Sequence, residues 1–298
     1  MARVIVVGSI NQDVTVTVDR FPTPGETLSG SSLTYGLGGK GANQAAAAAR
    51  SGIPTLFVGA VGTDLAGHSL RTHLAAHGVD VSHLREVDSP SGTALITVAA
   101  SGENTIILDA GANRASSIAH AKASLFPAPS DIVVLQAEIP PAANAAAIEW
   151  AHSFGARVLL NLAPARATDP ATLSRVDILV VNETEAGLTL GMPAPATPTE
   201  AIGVARALRG MGPRHVVVTL GAAWASGAEA RHSPAITLGE AVDTTGAGDA
   251  CVGALAAALA LGKPFDEAVA DGMRAGAAAV LAPGAAASYA NLPRITRN

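Results

Sequence analysis

Six short runs of Val, Ile and Leu, at 3–7, 55–61, 131–136, 156–161, 176–181 and 214–220, punctuate this chain. Stretches of helical length, most of them rich in Ala, lie between and after them, at 42–51, 65–77, 141–153, 199–210, 249–261 and 265–281. A strand that is apolar at every position has both faces buried, which is the signature of a parallel sheet with helices on either side. The alternation therefore predicts a three-layer α/β/α fold around a mainly parallel central sheet. Ala gives the helices high intrinsic propensity and lets them pack closely. With 298 residues, 49% of them hydrophobic and 14% charged, the chain can bury a large core, and residues 1–298 read as a single α/β domain. The Pro-rich stretch 193–199 reads as a stiff surface connection within it.

Two regions depart from this rhythm. Residues 12–20 alternate apolar and polar with period two, as do parts of 91–109, where Ser101-Gly-Glu-Asn104 has the makings of a hairpin turn. Such strands have one wet face, so they predict a smaller sheet standing off the main one. Segments of about 10–37 and 91–109 would form this lid, and its outer apolar face could pair with another subunit.

Composition excludes several classes. The net charge of −5 and the lack of a basic run argue against a nucleic-acid footprint, as does the presence of only two tryptophans, Trp150 and Trp224. A single cysteine, Cys251, rules out internal disulfides and suits a reducing compartment. The first apolar run is too short for a signal peptide and no window reaches a membrane span. A cytoplasmic protein is expected.

Chemistry concentrates in Asp243-Thr-Thr-Gly-Ala-Gly-Asp249, just ahead of an uncharged helix. Gly246, Ala247 and Gly248 would turn backbone N–H groups toward one point, where the helix dipole adds positive potential. Asp249 beside such an anion hole suggests a general base working next to a phosphoryl group. Ligands of α/β sheets bind at the carboxyl ends of strands. That places Asn11 and Asp13 after the first strand, Glu138 after 131–136, Asn182 and Glu185 after 176–181, and Thr219 and Gly221 after 214–220.

Several of these readings have a bland counterpart. Asn11 and Asp13 suit a polyhydroxylated ligand or a plain polar turn. Gly36-Leu-Gly38-Gly39-Lys40-Gly41 matches G-x-G-x-x-G without the preceding buried strand that a dinucleotide fingerprint needs. It reads better as a glycine-rich approach to a helix, with Lys40 and Asn43 in its first turn. Asn182 and Glu185 fit the water shell of Mg²⁺ or a helix capping box. His73 and His77 lack a third metal ligand, and Cys251 reads as packing.

Taken together, these motifs resemble the ribokinase-like carbohydrate kinases, the PfkB family, over nearly the whole chain. The stretches that carry the likeness are Gly8-Ser-Ile-Asn11-Gln-Asp13, Pro24-Gly-Glu-Thr27, Gly38-Gly-Lys-Gly-Ala-Asn-Gln-Ala45, Ser101-Gly-Glu-Asn104, Ala110-Gly-Ala-Asn113, Asn182-Glu-Thr-Glu185 and Asp243–Asp249. Within the family, the Gly-Gly-Lys-Gly-Ala-Asn-Gln run with Asn11 and Asp13 points to the ribose-phosphorylating branch.

The resemblance implies transfer of the γ-phosphate of ATP to O5 of D-ribose, with Asp249 as base and the amides of Gly246, Ala247 and Gly248 as anion hole. It implies that Asn11, Asp13, Gly39, Lys40, Asn43 and Glu138 hold the sugar. Asn182, Thr219, Gly221 and Gly248 would face ATP, and Glu185 would help organise Mg²⁺. A monovalent cation, usually K⁺, would lie among Asp243, Thr245, Ala279, Ala282, Gly284 and Ser288. A homodimer through the β-lid is implied too. The alternatives are a kinase of the same fold for another sugar, deoxyribose or a nucleoside, or a sugar-binding regulator without catalysis. Two stretches depart from the family pattern. Ala222-Ala-Trp224 looks like a shortened nucleotide loop, and Met273 stands where Asn or His is common near the adenine.

Overall fold

The computed structural model describes residues 2–296 apart from 167, 220–221 and 227–228. Its strands are β1 (Val4–Val7), β2 (Asn11–Val18), β3 (Ser32–Gly38), β4 (Thr55–Gly62), β5 (Val79–Val87), β6 (Gly92–Ala99), β7 (Asn104–Asp109), β8 (Ile132–Gln136), β9 (Arg157–Asn161), β10 (Ile178–Val181), β11 (His215–Val218), β12 (Ala222–Ser226) and β13 (Glu229–Ser233). Its helices are α1 (Lys40–Arg50), α2 (Leu65–Ala76), α3 (Pro141–Ser153), α4 (Pro170–Leu173), α5 (Glu183–Leu190), α6 (Pro198–Gly210), α7 (Ala247–Ala260), α8 (Phe265–Ala279) and α9 (Ala285–Ser288).

The main sheet runs β13-β12-β11-β10-β9-β8-β1-β4-β5. The seven strands from β11 to β5 are parallel, and β12–β13 add an antiparallel hairpin at one edge. Every side chain of β1 is buried, and the strand splits its residues between two cores. Val4 and Val6 pack with Ala42 and Ala45 of α1 and Val252 and Leu255 of α7. Ile5 and Val7 belong to the core on the other face, which also holds Ala147 and Ile148 of α3 and, further along the sheet, Val204 and Leu208 of α6. Burying each such Val, Ile or Leu contributes about 1.5–3 kcal/mol, which is why a doubly covered strand is written as a continuous apolar run. α7 lies directly on the backbone of α1, because a Cβ on Gly253 would sit 2.5 Å from the Gln44 carbonyl oxygen. Small residues thus set the spacing of the two helices that carry the site.

The smaller sheet has the order β3-β2-β6-β7, with β2 antiparallel to β3 and parallel to β6. Its register places Val14 opposite both Tyr35 and Leu95, and Leu95 opposite Ile107. Directly opposed residues share a face. Tyr35, Leu95, Ile107 and Leu33 therefore form one apolar face, exposed throughout, with Tyr35 at 64%. Asp13 and its neighbours across the strands occupy the other.

The sequence reading differs from the structure at several elements. Ala222–Trp224 is no loop; it lies in β12, with Trp224 opposite Val217. The stretch before Gly38 is, as expected, not a buried strand: Ser32–Gly38 is an exposed strand of the small sheet. β5 was not expected, because an edge strand buried on one side does not show the continuous apolar run of the central strands. α8 stops at Ala279, two residues short of the expected end, and the next carbonyl, of Val280, accepts the amides of Val242 and Asp243.

Candidate active site

Asp249 is the third residue of α7 and only 7% exposed. Gly246, the residue ahead of the helix, adopts the left-handed conformation (φ 77°) that re-aims the chain into it. The first amides of a helix have no intrahelical acceptor and point out along the positive end of its dipole. Here that point is the cleft. One of the three expected anion-hole amides is engaged elsewhere: the Ala247 N–H donates to Thr244 O at 3.3 Å and closes the turn, while Gly248 lies exposed. From behind, the Tyr289 hydroxyl, fully buried, donates to Gly246 O at 2.9 Å.

A dense polar cluster faces Asp249 from β2, α1 and the end of β8. Asn43 Nδ2 donates to Asp249 Oδ2 at 3.1 Å, and Gln44 Nε2 donates to Oδ1 at 2.9 Å. Asn43 Oδ1 is buried without a partner, an acceptor of the kind a ligand hydroxyl satisfies. Asp13 lies against the backbone of Gly38, where any Cβ would sit 2.0 Å from its Oδ1. Burial, reinforced by the charges of Glu138 and Asp249, raises the Asp13 carboxyl from 3.8 to about 6. Burial works against the Lys40 charge too, yet the carboxylates of Asp249, Glu138 and Glu185 outweigh it and leave the ammonium more basic than usual. Glu138 is partly structural, since its Oε2 accepts from the Ser9 hydroxyl (2.6 Å) and from the Lys40 amide (3.0 Å), anchoring the start of α1. Gly39, immediately before α1, brings the chain against Ile10 and Asn11. Asn11 is held by Asn113, whose Nδ2 donates to Asn11 Oδ1 at 2.7 Å while its Oδ1 accepts from Ile10 N at 3.0 Å.

A small cavity of about 250 Å³ is walled by Lys40, Asn161, Asn182, Glu185, Thr219, Thr244, Gly248 and Asp249. Asn182, Thr219, Thr244 and Gly248 also line a second of about 720 Å³, so the two form one cleft. The far end is apolar, made by Val217, Ile236, Ala247, Leu255, Val269, Met273, Gly276 and Val280. Met273 does face it, whereas Arg274 pairs with Asp271 at 2.6 Å. Asn182 and Glu185 form a complete capping box: Asn182 Oδ1 accepts from Glu185 N (2.7 Å) and Glu185 Oε2 from Asn182 N (2.9 Å). Burial nevertheless raises the Glu185 carboxyl, and both side chains reach the cleft wall. Gly221 lies outside the described residues. Cys251 lines the second cavity, with its thiol pushed up to about 12 by burial, so it is a poor nucleophile.

The residues expected around a monovalent cation converge in part. Asp243 Oδ1 accepts from Thr245 N and Oδ2 from Gly284 N, each at 2.8 Å. Burial pushes the Asp243 carboxyl up, but its hydrogen bonds to Thr245 and Gly284 prevail and hold it below the usual value. It is therefore a fixed negative charge. Ala279 ends α8, where terminal carbonyls carry partial negative charge, and Ala282 lies in the turn after it. The buried Ser288 hydroxyl donates to Ala285 O at 2.8 Å, leaving its oxygen lone pairs. A carboxylate beside free-ended carbonyls fits a weakly hydrated monocation.

Sequence reasoning assigned no role to Gln44, Asn161, Asn113 or Tyr289, although Gln44 and Asn113 stand in stretches that carry the family likeness. A signal existed for the first two. Gln44 is a polar residue in a run of Ala, and Gln136, Asn161 and Asn182 each end or follow an apolar strand with an amide. Tyr289 had no such signal.

A carboxylate and helix amides between a polyol-sized polar pocket and an apolar slot define a small-molecule phosphotransferase. Residues 1–291 match the pfkB family of carbohydrate kinases, and the chain belongs to that family. It is 38% identical over 287 residues to the ribokinase of Haemophilus influenzae, covering 95% of this chain and 94% of that one. It is 34% identical over 270 residues to a deoxyribokinase of Salmonella typhi, covering 85% and 84%. The structure matches that of Arabidopsis thaliana ribokinase complexed with ribose and ATP with a TM-score of 0.89 and 33% identity, covering 99% of this chain and 96% of that one.

Proposed function

We propose that this chain transfers the γ-phosphoryl group of ATP to O5 of D-ribose. The observation that carries the reading is the position of Asp249, hydrogen-bonded on one side to the polar cluster and open on the other to the cleft that leads to the apolar slot. Asn11, Asp13, Gly39, Lys40, Asn43 and Glu138 would hold the sugar, the unpartnered Asn43 oxygen accepting from a hydroxyl. Asp249 would take the O5 proton as the bond to phosphorus forms. The amides of Gly246 and Gly248, joined by that of Ala247 once its long bond to Thr244 O is released, would receive the charge that spreads over the phosphoryl oxygens, a reaction in which positioning and electrostatics dominate. Asn182 and Thr219 would line the triphosphate path. The small apolar residues around Met273 suit a purine.

No group of three His, Cys, Asp or Glu side chains gathers among the described residues as a metal cage. This agrees with a Mg²⁺ that arrives on ATP and keeps most of its waters. Glu185 and Asn182 would accept from those waters, and the ion would neutralise phosphate charge. Asp243, Thr245, Ala279, Ala282, Gly284 and Ser288 would hold K⁺, which would add positive potential beside the anion hole. Activity in K⁺ salts should exceed that in Tris salts, and equal rates would remove this site.

The small sheet, about 10–37 and 91–109, would act as the lid over the sugar, and its exposed Tyr35–Leu95–Ile107 face would join two copies. Sedimentation of Tyr35→Asp/Ile107→Asp against the unaltered chain tests this: an unchanged mass would exclude that interface. The single cysteine and the need for ATP suit the cytoplasm, and no helix among the described residues is long and apolar enough to cross a membrane.

The deoxyribokinase relative makes 2-deoxyribose the second candidate acceptor. A phosphorylation panel of pentoses, 2-deoxyribose, hexoses and nucleosides decides, with the product position read by ³¹P NMR. D-Ribose should give the highest kcat/KM and a 5-phosphate. Better turnover of 2-deoxyribose or of a nucleoside would overturn the ribose assignment.

A further inference from the structure

Behind the carboxylate of Asp249 lies a buried chain of amides that takes no part in the reaction described above. Gln44 is 0% exposed and cannot reach solvent. Its Nε2 has two hydrogens and spends both, one on Asp249 Oδ1 and one on Asn161 Oδ1, each at 2.9 Å. Its Oε1 accepts from Gln136 Nε2 at 2.8 Å. Asn161 is itself held, its Nδ2 donating to Val180 O at 3.1 Å, while the backbone carbonyl of Gln136 accepts from Asn144 Nδ2 at 2.7 Å and the side-chain Oε1 of Gln136 is buried without a partner.

These partners fix the direction of the Gln44 amide. Turned over, its carbonyl oxygen would meet the Asp249 carboxylate and the Asn161 oxygen, while its NH₂ met the Gln136 donor. Three favourable contacts would become three repulsive ones, in a buried place where unpaired polar groups are costly. The chain is therefore directional. Gln136 of β8 donates into Gln44, and Gln44 donates one N–H to Asn161 of β9 and one to Asp249.

We propose that Gln44 is a positioning residue for the reaction, resting on the assignment of Asp249 as base. By holding Oδ1 from the core side, it fixes the side-chain torsions of Asp249, whose Oδ2 accepts from Asn43 at 3.1 Å and keeps a lone pair for the proton. No substrate contact is involved, so the effect falls on turnover rather than on sugar affinity.

The experiment is a kinetic comparison of the unaltered chain with Gln44→Met, similar in length but without the donor, and with Gln136→Met, which removes one of the three groups that orient Gln44, the donor to its Oε1. A hydrogen bond to a charged group corresponds to about a 10–100-fold change. Gln44→Met should lose about that much in kcat, with the sugar KM within about threefold. Gln136→Met should show the same split between kcat and KM at smaller size.

Unchanged kcat in a folded Gln44→Met would overturn the proposal. So would a loss shared equally by kcat and KM. Should Gln44→Met fail to fold, Gln136→Met decides on the same criteria. Asp249→Asn, run alongside, separates the two levels. If it is inactive while Gln44→Met behaves as the unaltered chain, only the role of Gln44 fails. If Asp249→Asn turns over normally, the base assignment itself fails.

Discussion

The two ends of the cleft are built on opposite principles. At the sugar end the side chains are charged or polar, buried or half-buried, and several are tied to a partner. Asn11 is held by Asn113, Glu138 by Ser9 and the Lys40 amide, and Asp249 by Asn43 and Gln44. At the nucleotide end the walls are Ala, Gly, Val, Leu and Met, with shape as their main means of recognition. A buried polar site rejects a misfit strongly because each unmatched group stays unpaired, whereas an apolar wall tolerates change of about a methylene or two at small cost. Specificity and pH response should therefore reside at the sugar end, and tolerance at the other.

The largest break in this contrast should come from Gly38→Ala. The added methyl lands 2.0 Å from Asp13 Oδ1, so the carboxylate must leave its place. Losing two charge-assisted bonds to a sugar would raise the sugar KM by about 100-fold or more, with the ATP KM nearly unchanged. A rise in both, or in neither, would show that the two ends are not separate. Initial-rate kinetics with each substrate varied is the check.

The next effect is on pH. Asp13 titrates at about 6 in the fold against 3.8 ordinarily. Because this folded value is raised, its contribution to stability is fully present below 3.8 and is lost as pH rises through about 6. Sugar binding needs the ionised acceptor and runs the other way. The sugar KM should rise about tenfold per pH unit below about 6, and Asp13→Asn should abolish that slope at the expense of affinity. A flat KM between pH 5 and 7 in the unaltered chain would remove Asp13 from the sugar site.

Much of this was legible in the chain. Continuous apolar strands and Ala-rich helices fixed the layers, because burial on both faces leaves no room for polar residues. The polar strand ends marked the site, because parallel strands all finish at the same edge. The amide chain through Gln44, Gln136 and Asn161 was not legible, since it depends on which of many buried amides lie within 3 Å of one another. The hairpin β12–β13 was missed for a different reason: Ala222-Ala-Trp224 carries no strong strand pattern and is placed by pairing with β11. Tyr289 reaches Gly246 from 43 residues away, and nothing local announces it.

The smallest effect is expected at the nucleotide end. Met273→Leu conserves volume in an apolar wall, a change that usually costs less than about 1.5 kcal/mol. The ATP KM should shift by no more than about threefold, with the sugar KM untouched. A large loss would mean that the thioether makes a specific contact, and the proposed tolerance of this end would fall.

The central claim is that Asp249 removes the proton from the acceptor hydroxyl. Asp249→Asn keeps the shape of the side chain and can still accept from Asn43 or Gln44, so the most direct test pairs its kcat with calorimetric titration of D-ribose. The account predicts a fall in kcat of about 10²–10⁴-fold or more, with ribose binding within a few-fold of the unaltered chain. A near-normal kcat in a variant that still binds ribose would contradict it.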